Sequence, residues 1–243
     1  MPPEVADLPI LEPRVPAMPS LARRAVAEVY GTFALIFFGC GAVVMESFPT
    51  ARYGLIGIAL VHAIVLSVAI SATMAISGGH LNPAVSIGLW ATGRLKAQDT
   101  FVYVLAQLAG ALLGALTLKL VVPGGVAKFV LYGTPTIYSG LSFTTAIVIE
   151  AILTFFLMSA VMGTAVSTAA PKIGGFGIGL TLFFAIMVGG PFTGAALNPA
   201  RAFGPAVISG NLDSLGAYFI GPIVGALLAA FLWDRVLLRE AKS

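Results

Sequence analysis

The chain has 243 residues, 58% of them hydrophobic and 9% charged, with a mean hydropathy of +1.01. Soluble domains carry about 25% charged residues, so an ordinary soluble fold is excluded. The net charge of +3 comes from basic residues spread along the chain, which speaks against a nucleic-acid partner and makes their sidedness across a bilayer the useful quantity.

Residues 1–20 hold six prolines and read as a flexible tail. Arg23–Arg24 then opens an apolar run over 25–45 with Glu28 inside it. That acid and the length of the run argue against a cleaved signal, so it is the first span. Further apolar runs cover 53–79, 100–118, 141–170, 173–200 and 214–233. About 20 such residues cross a bilayer as a helix, which predicts six spans. Two pieces, 82–91 and 198–208, are too short to cross alone. Cys40 is the single cysteine, so no intrachain disulfide can form.

With six spans and two re-entrant pieces, Arg14, Arg23, Arg24, Arg94, Lys96, Lys172, Arg235, Arg239 and Lys242 fall on the side of both termini. Arg52, Lys119, Lys128 and Arg201 fall on the other. The positive-inside rule then predicts cytoplasmic termini.

The region 21–239 reads as one domain built twice, with halves at about 21–121 and 141–238 and a short tail at 240–243. AEVYGTFALIFF (27–38) resembles IEAILTFFLMSA (149–160), pairing Glu28 with Glu150. YVLAQLAGALLGAL (103–116) resembles YFIGPIVGALLAAF (218–231), and Asn-Pro-Ala occurs at 82–84 and again at 198–200. Each half reads span, span, short segment, span. Three spans per half is odd, so the second half enters from the opposite side. This is an inverted repeat, in which paired interruptions mark the transport site.

Asparagine is a preferred N-cap and proline suits the first helical position. Asn82-Pro83-Ala84 therefore starts a helix running to about Trp90, and Asn198-Pro199-Ala200 one running to about Ile208. Each Asn oxygen can accept from first-turn N–H groups, leaving its NH₂ free to donate elsewhere. Helices of this length span roughly 15 Å, and two end to end match the roughly 30 Å hydrocarbon core. Their positive N-terminal dipoles would meet near the midplane. Cations are repelled there, while a small neutral molecule with a lone pair can accept from both amides.

SGGHLNPAV and LNPARAFGPA resemble the signature motifs of the aquaporin (major intrinsic protein) family, and the similarity covers residues 22–238. The resemblance implies an all-α membrane protein with six transmembrane helices and two half-helices in an inverted repeat. It implies a homotetramer with one pore per subunit, Asn82 and Asn198 as central donors, and a second constriction formed by His62, Ile186, Ala195 and Arg201. Glu28 and Glu150 would buttress the half-helix loops by accepting from backbone N–H groups. His80 is expected to bond its loop to a neighbouring span. Ala195 stands where some members carry a mercury-reactive cysteine, implying weak mercurial inhibition.

Arg201 is an intramembrane charge, and such residues are functional by default; its guanidinium stays charged and offers several donors. The set His, Ile, Ala, Arg resembles tonoplast-type and ammonia-permeable members. It implies a constriction wider and less polar than in a strict water channel, passing water and also ammonia and hydrogen peroxide. The histidine that tonoplast members often place in the third loop is absent from 122–140. Glycerol-conducting members place an acid after the arginine, where this chain has Ala202, and Tyr218–Phe219 keeps the aromatic pair of water channels.

A polyol facilitator of the same fold is the alternative. A secondary transporter would need further midplane acids or lysines, and an enzyme would need a catalytic set that two histidines and one cysteine do not supply. No cofactor or metal is implied. The expected partners are small neutral solutes, the lipid bilayer and further copies of the chain. The expected location is the cell membrane, with a vacuolar one as the alternative.

Overall fold

In a computed structural model, residues 19–171 and 173–238 are described. The tails expected at 1–20 and 240–243 fall almost wholly outside them. The six long helices are α1 (Leu21–Met45), α2 (Gly54–Ser77), α4 (Ala97–Val121), α6 (Phe143–Val161), α7 (Phe176–Thr193) and α9 (Leu215–Leu232). Among the described residues these are the helices long and apolar enough to cross a membrane, α6 and α9 continuing through π-turns at Met162–Val166 and Trp233–Leu237. Two short helices, α3 (Pro83–Ala91) and α8 (Pro199–Ser209), follow α2 and α7. A single-turn helix α5 (Gly124–Phe129) lies in the connection between the halves.

The spans turn large apolar side chains outward at four-residue spacing: Ile56, Leu60, Ile64 and Val68 on α2, Leu180, Phe184 and Val188 on α7. That spacing keeps them on one helix face. Contiguous apolar surface on this scale belongs against lipid rather than water. The chain is an integral, multi-pass membrane protein.

Inside, small residues set the spacing. α1 packs along α4 and α6 along α9, the same pairing in each half. A Cβ at Gly110 would lie 2.5 Å from the Val29 carbonyl oxygen, and one at Gly225 would lie 2.0 Å from that of Ala151. Close backbone approach through small residues is how membrane helices gain contact without a hydrophobic driving force. The halves meet where α2 crosses α7, and there a Cβ at Gly179 would come within 2.4 Å of the Ala63 carbonyl oxygen.

The short helices exchange places. α3 packs against α9 of the other half, and α8 against α4. A Cβ at Gly204 of α8 would meet the Ala111 carbonyl oxygen at 2.4 Å.

Candidate functional site

α2 and α7 each end on a left-handed glycine, Gly78 (φ 89°) and Gly194 (φ 73°). Each chain then passes through further left-handed residues, Gly79 and Leu81 in the first half and Ala195 and Leu197 in the second, to an asparagine that caps a short helix. Asn82 Oδ1 accepts from Ala84 N at 2.9 Å, and Asn198 Oδ1 from Ala200 N at 2.9 Å and Arg201 N at 3.3 Å. Pro83 and Pro199 occupy the first helical position. The helices end one residue beyond the expected Trp90 and Ile208, at Ala91 and Ser209.

The amides are less free than the sequence suggests. Asn82 Nδ2 donates to Leu197 O (2.9 Å) and Asn198 Nδ2 to Leu81 O (2.8 Å). Each NH₂ spends one hydrogen tying the two loops together and keeps one. The two leucines whose carbonyls accept these bonds, Leu81 (φ 50°) and Leu197 (φ 53°), are left-handed. For leucine that conformation is a true outlier that surrounding bonds must hold.

Two buried glutamates supply those bonds. Glu28 Oε1 accepts from Ser77 Oγ (2.6 Å) and His80 N (3.0 Å), and Oε2 from Leu81 N (2.6 Å). Glu150 Oε1 accepts from Thr193 Oγ1 (2.6 Å) and Ala196 N (2.9 Å), and Oε2 from Leu197 N (2.8 Å). Tyr103 Oη donates to Ser77 O and Tyr218 Oη to Thr193 O, both at 2.7 Å.

The halves differ in one cluster. Gln107 Nε2 donates to Glu28 Oε2 (2.7 Å) and Ser86 Oγ (3.0 Å), and Ser86 Oγ lies 3.0 Å from His80 Nδ1. The matching positions are Pro222, Ala202 and Ala196, all apolar. The bond from His80 to a span is made by its backbone N–H, to Glu28 on α1, while the ring turns to the half-helix. The ring's Nδ1 meets Ser86 on α3, and the ring packs edge-on to Tyr103 at 5.0 Å.

A cavity of about 430 Å³ runs through this junction, lined by both halves. His62, His80, Asn82, Ala195, Asn198 and Arg201 supply its polar or motif-derived wall, and Leu66, Ile70, Val85, Leu157 and Leu182 an apolar one. Ile186 is not among the lining residues. It is buried on α7, one turn beyond Leu182 on the same face.

At one end, His62 Nδ1 donates to Ile58 O (2.9 Å), and Nε2 has no partner among the described residues. Gly39 makes room for the ring, since a Cβ there would sit 2.8 Å from it. Arg201, buried on α8, donates from one terminal nitrogen to Gly133 O (2.8 Å), while its Nε is unpartnered among the described residues. Gly133 closes a turn in which Leu131 and Tyr132 are also left-handed. At the other end Arg94, a lining residue, pairs with Asp234 in the π-turn after α9.

Sequence reasoning passed over Gln107, Ser86, Gly133 and Arg94. Only the tyrosines carried a signal, as matched positions of the repeat. Gln107 and Ser86 have no polar counterpart in the second half, and 131–133 has no periodicity to read.

The comparisons agree with this architecture. Residues 17–233 match the family described as Major intrinsic protein. Nodulin-26 of Glycine max is 38% identical over 215 residues, covering 88% of this chain and 78% of its own. Aquaporin TIP1-2 of Zea mays is 37% identical over 233 residues, covering 91% and 89%. The X-ray structure of the aquaglyceroporin from Plasmodium falciparum superposes with a TM-score of 0.78 at 26% identity, covering 90% of this chain and 97% of that one. A double set of spans, two amide-capped half-helices and a cavity between them, together with this match along nearly the whole chain, place the protein in the major intrinsic protein family, whose members are transmembrane channels for water or small solutes.

Proposed function

We propose that the cavity is a passive conduction path for water that also admits ammonia and hydrogen peroxide, and that it rejects protons and other cations. The observation that carries this is the crossed pair Asn82–Leu197 and Asn198–Leu81. It fixes two helix N-termini, each with one remaining amide hydrogen, beside one short stretch of the cavity. Positive dipole ends and N–H donors disfavour a cation and suit an oxygen or nitrogen lone pair. Arg201 adds a full positive charge to the same wall.

His62, Ala195 and Arg201 form the narrow filter in this reading, with Ile186 completing it one turn outward from Leu182. A small Ala195 leaves room beyond the needs of water, and the aliphatic wall at Leu182, which Ile186 backs one turn on, adds little polarity, which supports passage of ammonia and peroxide. The imidazole of His62 fills space, and its unpartnered Nε2 is polar where a polyol's carbon backbone would need an apolar face, which favours small solutes over glycerol. In the membrane the chain forms a homotetramer with a pore in each subunit. Residues 21–239 make up the channel unit, both termini face the cytoplasm, and the cell membrane is its location.

Stopped-flow light scattering on proteoliposomes tests this. Rapid water and methylammonium fluxes, peroxide entry into dye-loaded vesicles and little glycerol flux are expected. Water flux without ammonia or peroxide flux overturns the wider solute range, and rapid glycerol flux overturns the filter assignment.

A further inference from the structure

We propose that Gln107 and Ser86 fix His80 in one tautomer, with the proton on Nε2, so that His80 presents an N–H donor to the cavity.

The proton positions follow one another from Glu28. Its carboxylate accepts from two backbone N–H groups, of His80 and Leu81, whose roles cannot be exchanged. The Gln107 group 2.7 Å from Oε2 must therefore be the NH₂, because the amide oxygen there would set acceptor against acceptor. That orientation leaves Gln107 Oε1 buried without a partner among the described residues, which shows how firmly Glu28 dictates it. The second hydrogen of the same NH₂ points at Ser86 Oγ, 3.0 Å away.

Ser86 Oγ thus accepts from Gln107 and has a single hydrogen of its own to place. Its backbone N–H is occupied with Asn82 O at 3.0 Å. The acceptor in reach of the hydroxyl is His80 Nδ1, at 3.0 Å. Nδ1 is then the bare nitrogen, and the proton of a neutral ring lies on Nε2. Nε2 has no hydrogen-bond partner among the described residues and lies over Gly78, where an added Cβ would meet it at 3.1 Å. Both residues line the cavity.

His62 has the opposite arrangement. Its Nδ1 faces the Ile58 carbonyl, which can only accept, so Nδ1 carries the proton and Nε2 is a bare acceptor. The two histidines of the chain therefore present opposite polarity to the cavity. Among the polar side chains that line the cavity, His80, Asn82, Asn198 and Arg201 present donors, and the bare Nε2 of His62 is an acceptor. A molecule with a lone pair is matched along this path, and an ammonium ion has none to offer.

The second half supplies a control for the test. Ala202 occupies the position matching Ser86 and is fully packed, so alanine is compatible with this site in a half-helix. The full chain, labelled with ¹⁵N-histidine and reconstituted in lipid bilayers at pH 8, is measured by solid-state NMR. His62→Ala assigns the ring signals, since the chain has only 2 histidines. The expected His80 spectrum has a protonated Nε2 and a bare Nδ1. Ser86→Ala is expected to shift intensity to the Nδ1-protonated form, while Ser86→Thr, which keeps the hydroxyl, retains the original pattern. A wild-type His80 protonated on Nδ1, or a tautomer indifferent to Ser86→Ala, overturns the proposal. Its meaning for permeation rests on the channel reading. A chain that shows the tautomer but conducts no water overturns that reading and leaves this assignment standing.

Discussion

Asn82 and Asn198 hold each other's loops. Each caps its own half-helix through the side-chain oxygen and binds, through its nitrogen, the leucine carbonyl just before the other asparagine. One amide thus serves as cap, strut and donor, and each part can be removed separately.

Asn198→Asp keeps the capping oxygen but deletes the donor to Leu81 O and adds negative charge beside the cavity. Water permeability should stay within about threefold of wild type, while collapse of a pH gradient in dye-loaded proteoliposomes accelerates at least tenfold. An unchanged proton leak would show that the converging N-termini do not form the cation barrier.

The two glutamates separate by how many donors they hold. Besides two backbone N–H groups and a hydroxyl, Glu28 accepts from Gln107, and Glu150 has no such fourth partner among the described residues. An unsatisfied buried polar group costs about 1–3 kcal/mol. Glu28→Gln should therefore lower the melting temperature of the detergent-solubilised protein more than Glu150→Gln, by roughly one further unmet bond, about 1 kcal/mol. Equal shifts would contradict this.

Arg201→Val removes a buried charge and orphans Gly133 O. Cation and proton leak should rise several-fold with water flux retained. His62→Ala opens the same wall and should raise glycerol flux. If liposome swelling shows selectivity unaltered in both, the filter lies elsewhere.

Gly225→Ala forces a Cβ to 2.0 Å from the Ala151 carbonyl oxygen. Overpacking costs typically about 1–3 kcal/mol, and backbone on both sides leaves little room for relief. Little folded protein should be recovered by size-exclusion chromatography. Gly124→Ala, with nothing within 4 Å among the described residues, should behave as wild type.

Mercurials should inhibit weakly, because Cys40 is buried in α1 and Ala195 lines the cavity without a thiol. Ala195→Cys should confer block by mercuric ion in the swelling assay, reversed by reducing agent. Strong inhibition that survives Cys40→Ser in the otherwise native chain would go against this.

What could be read from sequence was whatever the chain states twice. The Asn-Pro-Ala copies, Glu28 with Glu150 and the small-residue faces of α4 and α9 repeat at matched positions, and chance does not produce such pairs. Chemistry stated once was harder to see. Gln107 aligns with Pro222, so no repeat marks the amide that reaches both Glu28 and Ser86. The carbonyl that holds Arg201 belongs to Gly133, in a turn of three left-handed residues where no hydrophobic period operates. His62 and Ile186 lie inside spans, away from either motif, where the apolar period gives the helix face but not where along it the cavity ends.

The exchange of half-helices sets an order of events in biosynthesis. α3 is complete once residue 91 is made, yet the surface it rests on is α9, which begins at Leu215. Until Leu197 is made the first asparagine has no carbonyl to bind across the repeat, and until the last span enters the bilayer the half-helix it caps lacks its packing surface. A ribosome that stops after the first half leaves three membrane helices and no channel.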